Sequence, residues 1–283
     1  MEDVTKKLKS FGILLSVCAV IVVIHAMILR HIASPCAGDA AKGYAVTQKT
    51  VIEPRLMRLT AVIMDVEKIG GRLALAATPD TVLTPPLKLA KLGGLEIAMN
   101  ANPWYNLPAR PGEAVPLNYI AGNPVTISGW AYGNGRLYSA AQKPRWTFFV
   151  VREDDGALTP HISMMTLEAP PTRDLVLMVT GYDPVLRDGK ILKESGGALH
   201  PRSVIGFTPD RKQIVMMTVD GRQPGYSVGA DEHDLGALMK KFGCSDALNL
   251  DGGGSTVLIT GGRILNSPSE DRPIPLLIGL RKP

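Results

Sequence analysis

The stretch that most constrains the fold of this chain runs from Asp246 to Thr256 and has the sequence D-A-L-N-L-D-G-G-G-S-T. Apolar and polar residues alternate over residues 247–251, and this period of two predicts a strand. Such a strand sends its two leucines into a core and places Asn249 and Asp251 together on the opposite face. A compatible fold must therefore bury one side of the strand and hold two polar side chains on the other.

A turn of three glycines and two hydroxyl residues follows this strand: Gly252, Gly253, Gly254, Ser255 and Thr256. Because glycine adopts positive φ readily, such a turn can direct backbone N–H groups toward a bound anion. A carboxylate followed by this turn predicts a site for a phosphorylated or sugar ligand beside a base. A plain hairpin turn is the alternative, since glycine-rich turns are common in that role. No Lys follows the glycines, which excludes a P-loop.

Four blocks of the sequence resemble the phosphodiester glycosidase domain family in the order that the family has them. The segment from Ala247 to Thr256 resembles its A-L-N-L-D-G-G-G-S-T signature. The other blocks are H-P-R-S at 200–203 followed by Gly206, D-G-R at 220–222, and N-S-P-S-E-D-R-P at 266–273. Upstream, N-A-N-P-W-Y at 100–105 stands where the family has an Asn followed by an aromatic pair.

The resemblance implies a hydrolase that cleaves the sugar C–O bond of a sugar-1-phosphodiester in an exported glycan or glycoconjugate. The leaving group of such a substrate is a phosphate monoester, which is a weak base. This leaving group needs less help from a general acid than the leaving group of an ordinary glycoside does. One carboxylate can therefore suffice. This differs from the two-carboxylate arrangement of most glycosidases.

The resemblance also implies a role for each candidate residue. Asp251 is the base or nucleophile, and Arg202 clamps the phosphate, because guanidinium forks suit phosphate oxygens. The remaining predicted substrate-binding residues are an anion cradle of Gly252, Gly253, Gly254 and Ser255, a sugar-orienting pair of Asn249 and Asn100, and the further candidates His200, Asp220 and Arg272.

Structural roles are the alternatives for several of these residues. Arg202 could instead pair with a carboxylate such as Asp220, and His200 could be an ordinary structural histidine. The Asp220 block could be only a turn, and residues 266–273 only a Pro-rich loop.

Two other functions compete with the glycosidase hypothesis. A non-catalytic, membrane-anchored module that binds anionic envelope polysaccharide would keep the glycine turn and need no base. A phosphodiesterase that cuts P–O would usually need clusters of metal ligands. The sequence has five His, two of them near the N-terminus, and no C-x-x-C or His/Cys cluster with metal spacing. No cofactor or metal site is therefore predicted, and dependence on a divalent cation stays open.

The N-terminal segment predicts export. Lysines at positions 6, 7 and 9 precede an apolar stretch from Phe11 to Leu29. About 20 apolar residues cross a bilayer, whereas the apolar part of a signal peptide usually has about 7–15. The length favours a signal anchor, with a signal peptide cleaved near residues 37–40 as the alternative. The lysines predict that this end stays cytoplasmic and that the rest lies in the periplasm or at the cell surface.

The sequence predicts three regions: a signal anchor or signal peptide at 1–31, a linker at 32–54 and one domain at 55–283. Cys18 lies inside the apolar stretch, and Cys36 and Cys244 are predicted to be free thiols, although pairing stays open. The formal net charge is +5, and no basic run follows the N-terminal lysines, so nucleic-acid binding is not expected.

The domain is predicted to be α+β, with a mixed or largely antiparallel sheet and few helices. Leu235, Leu238, Met239 and Phe242 are spaced as one face of a helix that ends at Gly243. A shorter helix is predicted over 84–92, and a long binding loop over 106–123. The aromatic pair Trp104 and Tyr105 suits either sugar recognition or a core cap. Strands are predicted over 56–66, 73–76, 95–100, 125–127, 136–138, 146–151, 161–163, 175–180, 203–207 and 213–219.

Overall fold

The computed structural model describes residues 35–36, 40–107, 114–115, 118–166 and 174–283. Within these residues the chain forms three short α-helices, namely α1 (Val66–Ile69), α2 (Pro86–Leu92) and α3 (Glu232–Lys241). The same residues form the strands β1 (Pro35–Cys36), β2 (Tyr44–Val51), β3 (Met57–Asp65), β4 (Leu73–Ala76), β5 (Leu95–Asn100), β6 (Trp104–Asn106), β7 (Val125–Ile127), β8 (Ala131–Gly133), β9 (Arg136–Ser139), β10 (Arg145–Arg152), β11 (Leu158–Met165), β12 (Leu175–Thr180), β13 (Pro184–Arg187), β14 (Lys190–Ile191), β15 (Arg202–Phe207), β16 (Gln213–Val219), β17 (Asp246–Asn249), β18 (Leu258–Thr260), β19 (Arg263–Ile264) and β20 (Leu277–Arg281).

The strands form three larger sheets and one two-stranded ribbon, β6-β7. The largest sheet has the order β1-β2-β3-β16-β15-β17-β13-β14, and the two five-stranded sheets have the orders β11-β10-β12-β8-β9 and β19-β18-β5-β20-β4. Each strand pair between described residues is antiparallel. The predicted α+β class with largely antiparallel sheet is therefore confirmed.

One face of the large sheet packs against both five-stranded sheets. Period-two alternation puts the inward residues of all three sheets into one core. This core includes Met64, Phe148, Leu177, Leu248 and Ile278, all fully buried. Because Leu248 and Leu250 both belong to it, the chain leaves β17 with its apolar side anchored.

Helix α3 covers the other face of the large sheet. Its predicted apolar side packs Leu235, Leu238 and Met239 against strands β13, β15 and β17. A capping box begins the helix, since Asp231 accepts from the backbone N–H of Asp234 while the Asp234 carboxylate accepts from the backbone N–H of Asp231. The helix thus lies behind the strand that leads to Asp251 and brings Glu232 near that strand's end.

The linker predicted over residues 32–54 is wrong for Tyr44–Val51, which form β2. This strand pairs with β3 along its whole length and buries Tyr44 and Val46. Its small and polar residues resemble a linker because only two of its side chains are buried. The strand is held in place by backbone pairing with β3. The domain therefore begins before residue 55.

Two further predictions concern segments near the site and the N-terminus. Residues 104–106 form a short strand paired with β7, so Asn106 belongs to a strand and not to the loop predicted over 106–123. The predicted apolar anchor lies outside the described residues. Within the described part of the chain, none of the helices has the length and apolar character needed to cross a membrane.

Candidate active site

A cavity of about 510 Å³ lies beside the end of strand β17. Its wall contains seven of the predicted site residues, namely His200, Arg202, Asn249, Asp251, Gly252, Gly253 and Arg272. Five residues that the sequence analysis did not select complete the wall: Tyr119, Tyr182, Asp183, Arg222 and Glu232. The other predicted residues, Asn100, Asp220, Gly254 and Ser255, are not part of this wall. The structure thus separates residues that can meet a ligand from residues that support them.

Asp251 lies two residues past the end of β17 and has a perturbed carboxyl group. Burial raises the pKa of Asp251 to about 6. The Ser255 hydroxyl, the Gly252 N–H, the Arg272 guanidinium and the Trp104 indole N–H act in the opposite direction on that pKa. The Ser255 and Trp104 groups are near the carboxylate without making a hydrogen bond of normal geometry to it. A carboxyl group with such a pKa can hold or release a proton near neutral pH, as a base must.

Asn100 supports Asp251 from behind and does not face the cavity, so its predicted contact with the sugar is wrong. Its side chain is 2% exposed. Asn100 Nδ2 donates to the backbone carbonyl of Asp251 at 2.7 Å, and Asn100 Oδ1 accepts from Ser203 Oγ at 2.7 Å and from the Val257 N–H at 3.1 Å. Three of the four hydrogen-bonding positions of the Asn100 amide are thus used within the protein, and one of these bonds fixes the backbone of Asp251.

The glycine turn shapes one side of the cavity, and two of its N–H groups have partners on the protein. The Gly253 N–H donates to the Pro201 carbonyl at 2.8 Å, and the Gly252 N–H is directed at the Asp251 carboxylate. Ser255 is 2% exposed and lies behind the wall. The N–H groups of Gly252 and Gly253 therefore have protein partners, and a donor role of the turn toward a ligand stays a prediction.

Glycine is nevertheless required in this turn, because other side chains approach its backbone closely. Gly253 has a φ of +61°, and a Cβ there would lie 3.1 Å from Arg222 Nη2. A Cβ on Gly254 would lie 2.5 Å from the Glu270 carboxylate and 2.6 Å from Arg272 Cζ. The glycines therefore admit two arginines to the site.

Arg222 and Arg272 share one carboxylate at this end of the cavity. Arg222 Nη1 donates to Glu270 Oε1 at 3.1 Å, and Arg272 Nε donates to Glu270 Oε2 at 3.1 Å. The Arg272 guanidinium also lies 3.9 Å from the centre of the Tyr119 ring, which meets Trp104 edge to face at 5.4 Å. One carboxylate between two guanidinium groups leaves a net positive charge facing the cavity.

Arg202 has no such carboxylate partner. Its Nε donates to the Ala230 carbonyl at 3.2 Å, and its Nη2 donates to the Ala198 carbonyl at 3.1 Å. It forms no ion pair with any residue that the structure describes, so the alternative pairing with Asp220 is wrong. Burial lowers the pKa of the Arg202 guanidinium, but Arg remains a cation at neutral pH. We call Arg202, Arg222 and Arg272 the arginine wall.

His200 lies beside the arginine wall. Burial and the charges of Arg202 and Arg222 lower the pKa of His200, which favours the neutral imidazole. His200 Nδ1 is buried and has no hydrogen-bond partner among the described residues. The ring is thus available to exchange a hydrogen bond with a ligand.

Asp220 lies behind the wall in a buried network, so its predicted contact with substrate is wrong. The residue is 3% exposed. Asp220 Oδ1 accepts from Asn266 Nδ2 at 3.0 Å and from the Ser267 N–H at 2.9 Å. This carboxylate fixes the start of the segment that carries Glu270 and Arg272. Burial raises its pKa despite these donors.

A second wall of the cavity carries hydrogen-bond acceptors. Glu232 Oε1 accepts from Asn249 Nδ2 at 3.3 Å, and Lys193 Nζ lies 2.9 Å from Asp183 Oδ2 and 3.6 Å from Glu232 Oε2. Asn249 Oδ1 is buried without a partner in the described part of the chain. We call Asn249, Glu232 and Asp183 the acceptor wall.

Sequence reasoning missed four of the polar wall residues for different reasons. Arg222 belongs to the D-G-R block, and Tyr119 to the long loop over 106–123, so both had a signal that pointed to their segment. Glu232 resembled an ordinary acidic residue in the first turn of a helix, and Asp183 belonged to none of the sequence blocks. Only the packing of α3 and β13 beside β17 brings these two carboxylates to Asn249.

One group of possible metal ligands occurs among the described residues, namely Asp231, His233 and Asp234. Asp231 and Asp234 form the capping box of α3, and Arg55 Nη1 lies 3.5 Å from Asp231 Oδ2 and 3.2 Å from Asp234 Oδ2. An arginine already occupies the position where a cation would neutralise these carboxylates. The group is therefore explained by helix capping and an ion pair.

Known structures resemble this fold. The catalytic domain of zebrafish N-acetylglucosamine-1-phosphodiester alpha-N-acetylglucosaminidase, auto-inhibited by pro-peptide, aligns with a TM-score of 0.60 and 15% identity over 89% of this chain and 87% of that domain. A hypothetical protein from Synechocystis aligns with a TM-score of 0.54 and 13% identity over 84% of this chain and 62% of its own. At such identities the likeness concerns the fold alone.

Sequence comparisons give a relative and a family. An uncharacterized SPbeta prophage-derived protein, YomE of Bacillus subtilis (strain 168), is 39% identical over 71 residues, which are 25% of this chain and 11% of that protein. The chain thus matches only a small part of that curated relative. The family model described as phosphodiester glycosidase matches residues 114–281, which are more than half of the chain and contain all four sequence blocks. The chain therefore belongs to the phosphodiester glycosidase family.

Proposed function

We propose that this protein hydrolyses the bond between the anomeric carbon and the phosphate oxygen of a sugar-1-phosphodiester in an exported glycan or glycoconjugate. The observation that carries the proposal is the placement of Asp251, whose pKa is raised to about 6, in a cavity between the arginine wall and the acceptor wall. Family membership supports the same chemistry.

The arginine wall supplies what the leaving group needs. As the sugar C–O bond breaks, the electron pair stays on the phosphate oxygen, and negative charge grows there. Fixed guanidinium groups stabilise such charge without having to reorganise. Arg202 is the member best suited to the phosphate, because its guanidinium forms no ion pair with a carboxylate among the described residues.

Asp251 supplies the other half of the reaction. As a base it would take a proton from a water molecule that attacks the anomeric carbon. As a nucleophile its carboxylate would attack that carbon first, and water would then release the sugar. Both routes need the ionised carboxylate and end in a free sugar and a phosphate monoester.

The deciding experiment is hydrolysis of a synthetic N-acetylglucosamine-1-phosphodiester and of UDP-N-acetylglucosamine in ¹⁸O-labelled water. We expect the label in the free sugar, because the C–O bond is the one that breaks. Label in the phosphate would show P–O cleavage and contradict the proposal. Tight binding of these substrates without any cleavage would instead support a non-catalytic module that binds anionic polysaccharide.

The activity should depend on pH through Asp251. Because burial raises the pKa of Asp251 to about 6, the ionised form is scarce below pH 5 and nearly complete above pH 7. We expect kcat/KM to rise with pH on an acidic limb whose midpoint lies at about 6. A limb with its midpoint near 4, the ordinary range of an Asp, would contradict a raised pKa for the catalytic carboxyl group.

Arg202→Lys should weaken substrate binding. Lysine keeps the positive charge but lacks the planar fork that grips two phosphate oxygens. We expect KM to rise by an amount worth roughly 1–3 kcal/mol, with the fold intact. The exposed Arg136, which is outside the cavity, offers the control change Arg136→Lys. Early melting of Arg202→Lys with an unchanged KM would assign Arg202 a structural role instead.

We also propose that the apolar stretch from Phe11 to Leu29 anchors the chain, with the domain on the extracytoplasmic side. The support is the length of that stretch and the lysines that precede it. Fractionation of cells that express the full chain tests this. Recovery of uncleaved protein in the cytoplasmic fraction would contradict both the anchor and the alternative signal peptide.

A further inference from the structure

The acceptor wall contains a carboxylate that is bound at both of its oxygens. We propose that Glu232 is a positioning residue that fixes the Asn249 amide, so that Asn249 Oδ1 accepts a hydrogen bond from a hydroxyl or N–H group of the sugar. The identity of the ligand as a sugar phosphate rests on the proposed function. The acceptor wall is thus the part of the cavity that binds the sugar, and Glu232 orients the Asn249 amide that recognises it.

Glu232 has two partners on the protein. Its Oε1 accepts from Asn249 Nδ2 at 3.3 Å, and its Oε2 lies 3.6 Å from Lys193 Nζ. Lys193 is itself held by Asp183 at 2.9 Å. Since both oxygens are engaged, Glu232 is suited to holding a neighbour in place and not to proton transfer.

The carboxylate of Glu232 allows one orientation of the Asn249 amide. With Nδ2 toward Glu232, the amide donates to an anion, whereas a flipped amide would place Oδ1 against the negatively charged carboxylate. The Asn249 side chain is therefore fixed with Oδ1 turned away from Glu232. Asn249 is 1% exposed, lines the cavity, and its Oδ1 has no partner among the described residues. A buried acceptor without a partner costs free energy, which a donor on the ligand would recover.

The charges of the two walls decide which part of the ligand binds where. An ionised phosphodiester has no proton to donate, and the carboxylates of Glu232 and Asp183 repel its negative charge. The arginine wall attracts it. A sugar ring carries several O–H donors that suit Asn249 Oδ1. A ligand that crosses Asp251 is therefore oriented with its phosphate at the arginine wall and its sugar at the acceptor wall.

The test compares the affinities of the full chain for inorganic phosphate, glucose 1-phosphate and N-acetylglucosamine 1-phosphate by isothermal titration calorimetry. In the parent protein we expect at least one sugar phosphate to bind more tightly than inorganic phosphate. Glu232→Gln should lower the affinity for that sugar phosphate by about 5–50-fold, because it disturbs a hydrogen bond to a buried acceptor. The affinity for inorganic phosphate should change by less than about twofold. The matched control Glu194→Gln alters an exposed carboxylate outside the cavity and should change neither.

A double variant separates positioning from a general structural effect. In Asn249→Asp with Glu232→Gln, the new amide can donate to the new carboxylate, so the hydrogen bond is kept with its direction reversed. An oxygen still faces the sugar, and the net charge is unchanged. We expect each single substitution to lower the affinity for the sugar phosphate and the double variant to recover most of that affinity.

Several results would overturn the inference. These are an equal loss for inorganic phosphate and the sugar phosphate, an unchanged affinity in Glu232→Gln, a double variant no better than the singles, or a parent protein that binds no sugar phosphate more tightly than phosphate. Hydrolysis is measured separately. Selective binding of the sugar phosphate without cleavage would contradict the proposed hydrolase activity and support this sugar subsite. Cleavage without such selectivity would support the hydrolase activity and contradict the subsite.

Discussion

Asp251→Asn should slow hydrolysis of a sugar-1-phosphodiester by about 10²–10⁴-fold, the usual loss when a positioned base is removed. Asparagine keeps the shape of the side chain but cannot carry the negative charge that a base or nucleophile needs. Substrate affinity should change much less than kcat, because the arginine wall is untouched. The acidic limb of the pH profile should disappear in the variant.

The same substitution should stabilise the fold at neutral pH. The pKa of Asp251 is raised from 3.8 to about 6 in the folded protein. The folded state therefore binds the proton more tightly than the unfolded state, and the free energy of unfolding falls as pH rises between these values. The ionised carboxylate then costs up to about 3 kcal/mol above pH 7. Asp251→Asn should recover part of this amount, and the gain should vanish below about pH 4.

Urea unfolding at pH 4 and pH 7.5 and steady-state kinetics measure these two effects. Asp188→Asn is the matched control, because Asp188 is exposed in the turn between β13 and β14, outside the cavity. It should alter neither stability nor turnover appreciably. Near wild-type hydrolysis by Asp251→Asn would refute the catalytic role of this carboxylate.

Asp220→Ala should destabilise the domain by about 2–5 kcal/mol, since it removes a buried charged acceptor from two donors. Asn266 Nδ2 would lose its contact with Asp220 Oδ1, and the Ser267 N–H would lose its acceptor. Asn266 Oδ1 accepts from the Leu258 N–H at 2.7 Å, and Asn266 Nδ2 donates to the Thr256 carbonyl at 3.2 Å. The disturbance therefore reaches the glycine turn.

Thermal unfolding followed by circular dichroism measures this loss. A domain of this size loses roughly 2–4 °C of Tm per kcal/mol, so we expect a fall of about 5–15 °C. Asp220→Asn is the matched variant, because its side-chain oxygen can still accept from both donors, and its loss should be clearly smaller. An unchanged Tm with a raised KM in Asp220→Ala would return Asp220 to the role of a substrate contact.

Local patterns of the sequence were sufficient for most secondary structure near the site. The predicted strands over 73–76, 95–100, 125–127, 175–180 and 213–219 have the observed bounds. Helix α3 could be predicted because its apolar spacing, its acidic first turn and the glycine after it all indicate a helix. Strand β2 was missed, because its polar composition hides a backbone held by a neighbouring strand.

The site was predicted less evenly than the fold. Asp251, Arg202, His200, Asn249 and Arg272 line one cavity, as their sequence blocks suggested. Other conclusions failed because a motif does not say which side of the chain faces the ligand. The buried amides, carboxylates and N–H groups behind the wall serve the site by holding it, as Asn100, Asp220 and Gly253 do.

The sequence by itself determined the strand that leads to Asp251, the need for glycine after it, and the family to which these blocks belong. Period-two alternation and glycine's freedom of φ are properties of a few neighbouring residues, so they can be recognised locally. Only the tertiary structure decided that Arg222 and Arg272 share Glu270 and that Glu232 holds Asn249. These contacts join residues on different strands, loops and a helix, and no local pattern sets the distance or the direction between them.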